Sequence, residues 1–250
     1  DAHDGNQEIT GDLAVGLRRY QMECARLIRY LRERAGDPAR PVAFFDGSLI
    51  ASFAARLPAG SQEAYWRASL ALLIASQESR VPVVGYIDTS YARDVVEMLV
   101  HALGLPRQRR TSDAGLYAPL MRWGDRSPAY ICARDDPILD RYVDESSGAD
   151  FRRRIAFTYV KTTADNPPAR VEIPLWVLEE GRLEDTINIL RAEAVVGNGY
   201  PYALETADAV AVLTLEDRER FHATLQQFAR RHDLRWRLSR KAQSKRQRRV

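Results

Sequence analysis

Two short apolar runs, each closed by an aspartate, constrain this chain more than any other feature. Val42-Ala43-Phe44-Phe45 stops at Asp46-Gly47-Ser48, and Val83-Val84-Gly85-Tyr86-Ile87 stops at Asp88-Thr89-Ser90. Runs this short, rich in β-branched and aromatic residues and followed by turn formers, read as buried strands. Helical patterns surround them. Leu17, Tyr20, Cys24, Leu27, Ile28 and Leu31 recur at helical spacing before the first strand. A second helix is expected from Ser61 to about Ser79, with Trp66, Leu70, Leu73 and Ile74 inside it. A third should start at Ser90, run through Val95, Leu99 and Leu103, and end at Gly104. This strand–helix–strand–helix order predicts an α/β fold with a largely parallel sheet.

The rest of the chain is less regular. Residues 105–150 are rich in Arg, Asp, Gly and Pro and yield one short strand near 129–132. Segments 155–160 and 171–176 alternate as strands, and Asn166-Pro167-Pro168 turns between them. A helix is expected over 183–194 and a break over 197–199. Pro201 then suits the first turn of a helix reaching 213. Thr214 with Asp217 has the pattern of a capped start for a last helix ending near His232. The expected organisation is one domain over 1–233 and a basic tail over 234–250.

Composition narrows the function. Apolar residues make up 45% of the 250, enough for a sizeable core, and no apolar run reaches the roughly 18–20 residues that span a bilayer. No signal peptide is visible, and Cys24 and Cys132 stand apart from any CxxC or zinc-finger spacing. Both read as small buried residues of a cytoplasmic protein. His3, His101, His222 and His232 form no ligand spacing, and GxSxG, P-loop and GxGxxG motifs are missing. Serine hydrolysis, nucleotide binding and zinc therefore have little support. The net charge of +3 is uneven. Residues 230–250 hold ten Lys/Arg against Asp233 alone, a segment charge of +9, which leaves −6 on the remainder. An acidic body with a basic tail suits a metal-dependent enzyme acting on a polyanion; a solvated tail without a specific partner is the alternative.

Four carboxylates are candidates for that chemistry. Asp46 lies where α/β sheets place ligand sites, at the carboxyl end of a strand, although it could simply close a turn. Glu23 falls at the edge of the first helix's apolar stripe, where a desolvated carboxylate needs a partner: a metal, or an arginine such as Arg19 or Arg26. Asp88 repeats the position of Asp46 or belongs to the cap region of the next helix. Asp208, one turn after Leu204, is expected to face inward or along a cleft; a helix-surface acid is the alternative.

In order and spacing, these segments resemble the NurA nuclease family. The matching pieces begin with Arg18 and Glu23, then Phe44-Phe45-Asp46-Gly47-Ser48-Leu49 and Val84-Gly85-Tyr86-Ile87-Asp88. Tyr159-Val160-Lys161, Arg170-Val171-Glu172-Ile173-Pro174 with Trp176, and Gly199-Tyr200-Pro201-Tyr202-Ala203-Leu204 with Ala207-Asp208 follow. The DGS triplet alone is weak; followed by the GYPYxL element it is fairly specific.

The resemblance implies an RNase H-like mixed sheet flanked by helices and a Mn²⁺- or Mg²⁺-dependent DNase. Such enzymes are 5′-to-3′ exonucleases and single-strand endonucleases, form ring-like homodimers and act beside a HerA-type hexameric ATPase in DNA end resection and recombinational repair. It makes Glu23 and Asp46 metal ligands, and Asp208 is expected to join them in a two-metal-ion site. Lys161, Arg170, Tyr200 and Tyr202 are the expected DNA contacts, with Arg240, Lys241 and Lys245 of the tail. Two positions depart from the family pattern. The family's earlier DGS-type aspartate has no counterpart, since no strand leads into Asp4-Gly5, so that ligand is expected upstream of residue 1 or lost. Many members also carry His where this chain has Asp208. The alternative reading is a catalytically degenerate adaptor that binds DNA or a partner ATPase.

Overall fold

The computed structural model describes residues 11–106, 110–144, 146–212 and 214–232. The chain divides into two compact units, Asp1–Glu205 and Thr206–Val250. In the first, helix α1 (Gly11–Glu33) leads to strand β1 (Ala43–Asp46), helix α2 (Ala59–Ser79) and strand β2 (Val83–Ile87). Helices α3 (Asp94–Ala102) and α4 (Asp113–Tyr117) precede three two-residue strands, β3 (Tyr130–Ile131), β4 (Val143–Asp144) and β5 (Ala149–Asp150). Strands β6 (Ile155–Val160) and β7 (Ala169–Pro174) are followed by α5 (Leu175–Glu179), α6 (Leu183–Val196) and α7 (Tyr202–Val210), whose last residues belong to the second unit. That unit's described part continues through α8 (Leu215–Arg231), opened by the expected capping box. Thr214 Oγ1 accepts from the Asp217 amide at 3.1 Å, and Asp217 Oδ2 accepts from the Thr214 amide at 3.0 Å.

The main sheet has the order β1-β2-β7-β6-β3. Only β1 and β2 are parallel; β2–β7, β7–β6 and β6–β3 are antiparallel. This corrects the expectation of a largely parallel sheet. Alternating strand and helix imposes a parallel crossover only while helices separate the strands. Here β6 and β7 are joined by the Asn166-Pro167-Pro168 turn, so they form a hairpin that enters the sheet against β2. A second correction lies at Trp176. It falls in α5 rather than in a strand, because the pairing ends at Pro174 and Pro174 becomes the helix N-cap.

The sheet is covered on both faces. Ile155, Phe157 and Tyr159 of β6 face the same core as Phe45, Leu31 and Leu73 of the α1–α2 side. Ala156 and Val160 turn to the opposite core, with Val84, Val171, Ile173, Ile187 and Leu190. The period-two alternation of a strand sorts these side chains between the two layers. Helix α1 is tied down by Tyr20, whose ring meets Phe45 edge-on at 5.6 Å and Tyr65 at 4.9 Å, and whose hydroxyl bonds Ser69. Cys24 and Leu31 are buried one and three turns beyond it.

Candidate functional site

At the carboxyl ends of β1 and β2 the chain leaves the sheet through Asp46-Gly47-Ser48 and Asp88-Thr89-Ser90. The register pairs Asp46 with Tyr86, so these two loops are neighbours. Gly47 takes φ = +132°, a conformation that favours glycine, and turns the chain back over β2. Room for that crossing comes from Gly85. A Cβ there would stand 2.7 Å from the Gly47 carbonyl oxygen and 2.9 Å from Leu49 Cγ.

A buried carboxylate holds the turn. Glu172 Oε2 accepts from Ser48 Oγ at 2.7 Å and from the Leu49 amide at 2.9 Å, while Oε1 accepts from Arg170 Nε at 2.8 Å. Glu172 is 1% and Arg170 2% exposed. Arg170 also pairs with Asp94 at 2.7 Å, and its guanidinium lies 3.9 Å from the Phe157 ring centre. Further along the turn, Tyr142 Oη accepts from the Ala51 amide and donates to the Leu49 carbonyl. Arg134 donates to Ser52 Oγ at 2.7 Å, and Ser52 bonds Asp136. Buried charges that are paired and hydrogen-bonded on every side make a stiff support. Sequence reasoning missed this role of Glu172, although Glu172 lies in a segment that carried the resemblance.

Asp46 and Glu23 are exposed at this edge. Glu23 pairs with Arg19 at 3.4 Å, one of the two arginine partners anticipated. Partial burial lifts the Glu23 carboxyl above the usual carboxylate range; Arg19 opposes that, and the charge of Asp46 adds to it. Helix α1 and strand β1 thus bring two carboxylates within electrostatic reach of each other. Tyr200 Oη donates to Asp46 Oδ1 at 3.1 Å. The Tyr200 ring stands edge-on to Tyr86, with centroids 5.3 Å apart. Burial pushes the Tyr200 phenol far up, and Asp46 and then Asp88 add to the rise, so it stays protonated and able to donate. Asp88 is exposed at the end of β2 and is not the helix cap considered for it. Helix α3 begins at Asp94, and buried Asp113 accepts from the amides of Val95 (3.1 Å) and Val96 (2.9 Å).

The other expected positions divide. Arg170 and Lys161 are buried, Lys161 at 5% exposure with Nζ on the Asn166 carbonyl at 2.6 Å. Both cations are engaged inside the protein, Arg170 with Glu172 and Asp94 and Lys161 with the Asn166 carbonyl. Both lie on strands or strand ends covered from two sides, so the polar half of the alternation points into protein. Tyr202 is exposed. Asp208, expected to face inward, is exposed on the part of α7 that belongs to the second unit. Arg240, Lys241 and Lys245 lie outside the described residues.

Among the described residues no three or more His, Cys, Asp or Glu side chains gather closely enough to hold a metal ion. Glu23 and Asp46 suit a smaller task. Magnesium-like ions often take one or two carboxylates from the protein and complete their shell with water and phosphate oxygens. The hard oxygen pair fits such an ion, and the mutual repulsion of the two carboxylates is what a cation would relieve. Two ions would need more ligands than this pair supplies.

The NurA domain family model matches residues 7–213 of the 250. The chain belongs to the NurA family. That domain indicates a nuclease family, and the match covers Glu23, Asp46, Glu172, Tyr200 and Asp208 alike. No curated protein and no solved structure matches the chain. Among the described residues no helix is long and apolar enough to cross a membrane.

Proposed function

We propose that this NurA-family chain is a metal-dependent DNA nuclease with an RNase H-like core. It acts as a 5′-to-3′ exonuclease and single-strand endonuclease, as a homodimer, beside a HerA-type hexameric ATPase in DNA end resection. One observation carries the reading. In a chain of a nuclease family, exposed Asp46 at the end of edge strand β1 lies within electrostatic reach of Glu23 on α1.

Glu23 and Asp46 would hold a Mg²⁺ or Mn²⁺ ion. Such an ion supplies charge neutralisation at the phosphate and an activated water. The chain's own residues do the positioning. Tyr200 donates to one oxygen of Asp46 and leaves the other free. Glu172 keeps Ser48 and Leu49 in place and so fixes the direction in which Asp46 leaves the strand. Tyr202 and the basic residues Arg240, Lys241 and Lys245 are the proposed DNA contacts. Counterion release at the tail would make binding salt-dependent.

The test is cleavage of 5′-labelled linear and of circular single-stranded DNA with Mn²⁺, Mg²⁺ or EDTA, with and without a HerA-type ATPase. Metal-dependent cutting of both forms is expected. No cutting under any of these conditions would overturn the reading and favour the adaptor that binds DNA or the ATPase without cleaving.

A further inference from the structure

A tryptophan stands on a loop stitched to the end of β6. The indole Nε1 of Trp123 donates to the Thr162 carbonyl at 3.0 Å, yet the side chain remains 52% exposed. The loop beneath it is tightly held. The Gly124 amide donates to the Lys161 carbonyl at 2.8 Å, the Lys161 amide to the Asp125 carbonyl at 2.9 Å, and the Arg122 amide to Asp125 Oδ2 at 2.7 Å. Arg191 Nε donates to the Gly124 carbonyl at 2.8 Å. An exposed ring on so constrained a backbone is a fixed platform. Among the described residues no other aromatic ring packs on it.

Its position relative to the candidate site follows from shared contacts. Thr162 Oγ1 lies 3.4 Å from Tyr86 Oη, and Tyr86 is the ring against which Tyr200 stands. On the other side, a Cβ built on Gly199 would come within 2.4 Å of Thr163 Cγ2 and 3.7 Å of the same Thr162 carbonyl oxygen that binds Trp123. The 162–163 segment is therefore the common wall between Trp123 and the Gly199–Tyr200 turn, whose phenol reaches Asp46. Arg122, the residue before Trp123, is exposed. Arg126, two residues past Gly124, is engaged with Glu184.

We propose that Trp123 is a stacking platform for one nucleobase of single-stranded DNA, next to the phosphate that lies at Asp46, with Arg122 meeting the adjoining backbone. A flat π-face with a neighbouring cation accepts any base and needs it unpaired, because a base within a duplex has both faces covered. The inference rests on the nuclease reading for its substrate class, and it deepens that reading by assigning a base subsite.

The experiment measures anisotropy of a fluorescein-labelled oligo-dT in EDTA, so that binding is read without cleavage. Trp123→Ala should weaken binding about 10-fold, in the range of one lost base–aromatic stack, and Trp123→Phe should recover most of it. An abasic strand of the same length should bind Trp123→Ala and the unsubstituted chain alike. Equal oligo-dT binding by Trp123→Ala and the unsubstituted chain overturns the platform, as does an equal loss on the abasic strand. The nuclease reading is judged separately. Metal-dependent cutting with Trp123-independent binding leaves the nuclease and removes the platform. Trp123-dependent binding without cutting does the reverse.

Discussion

Glu172 and Ser48 are joined by a 2.7 Å hydrogen bond between a fully buried carboxylate on β7 and the hydroxyl that follows the Asp46-Gly47 turn. The same oxygen takes the Leu49 amide, and the other oxygen takes Arg170. Removing the carboxylate would leave a buried guanidinium and a buried amide short of a partner. Glu172→Ala should cost about 3–5 kcal/mol, as breaking one side of a buried pair does. Urea denaturation checks this. Glu172→Gln, which keeps an acceptor, should lose less.

Tyr200 touches Asp46 through its hydroxyl only. Tyr200→Phe should therefore leave the melting temperature near that of the unsubstituted chain while lowering Mn²⁺ affinity or cleavage about 10- to 100-fold, the usual cost of losing a partner of a ligating carboxylate. Metal titration and single-turnover cleavage read the two effects. Unchanged values in both would remove Tyr200 from the site.

Asp46 is exposed and contributes little packing. Asp46→Asn should abolish metal-dependent cleavage and leave the urea midpoint within experimental scatter. Retained cleavage in a folded variant would sink its assignment as a ligand.

Gly85 has no space for a methyl group, because the backbone of Gly47 crosses it. Gly85→Ala should cost about 1–3 kcal/mol through overpacking and displace the turn that carries Asp46. Stability and cleavage should fall together, unlike in Asp46→Asn.

Asp136 gives a pH signature away from the site. Burial pushes its carboxyl up, but Ser52, the amides of Ile138 and Leu139, and Arg134 outweigh that and hold it below the ordinary range. The folded pKa is thus lower than the unfolded one, near 4. Its stabilisation is complete above that value and fades as pH falls through the folded pKa. The stability advantage over Asp136→Asn should be largest near neutral pH and shrink below about pH 4, as read from urea midpoints across the acid range.

What was legible in the chain follows from local rules. The run Val42–Phe45 before Asp46-Gly47-Ser48, the helix carrying Tyr20 and Cys24, and the Thr214–Asp217 box were each readable because their signals lie within one or two turns of sequence. Glu23 could be placed at the margin of an apolar stripe by periodicity, and its Arg19 partner sits one turn away. The burial of Arg170 and Lys161 was not legible, for a physical reason. Alternation along β7 marks which residues share a face but not whether that face meets solvent, and here helices cover both faces.

The sequence by itself determined the first helix, the two strands that end in Asp46 and Asp88, the helix between them, and the family, since these depend on residue type at short range. Only the tertiary structure decided that β7 lies antiparallel to β2 and sets Glu172 beneath Ser48, that Tyr200 reaches Asp46 across the chain, and that Trp123 shares a wall with that tyrosine. These are contacts between residues far apart in sequence. They depend on how the layers pack, which no local pattern specifies.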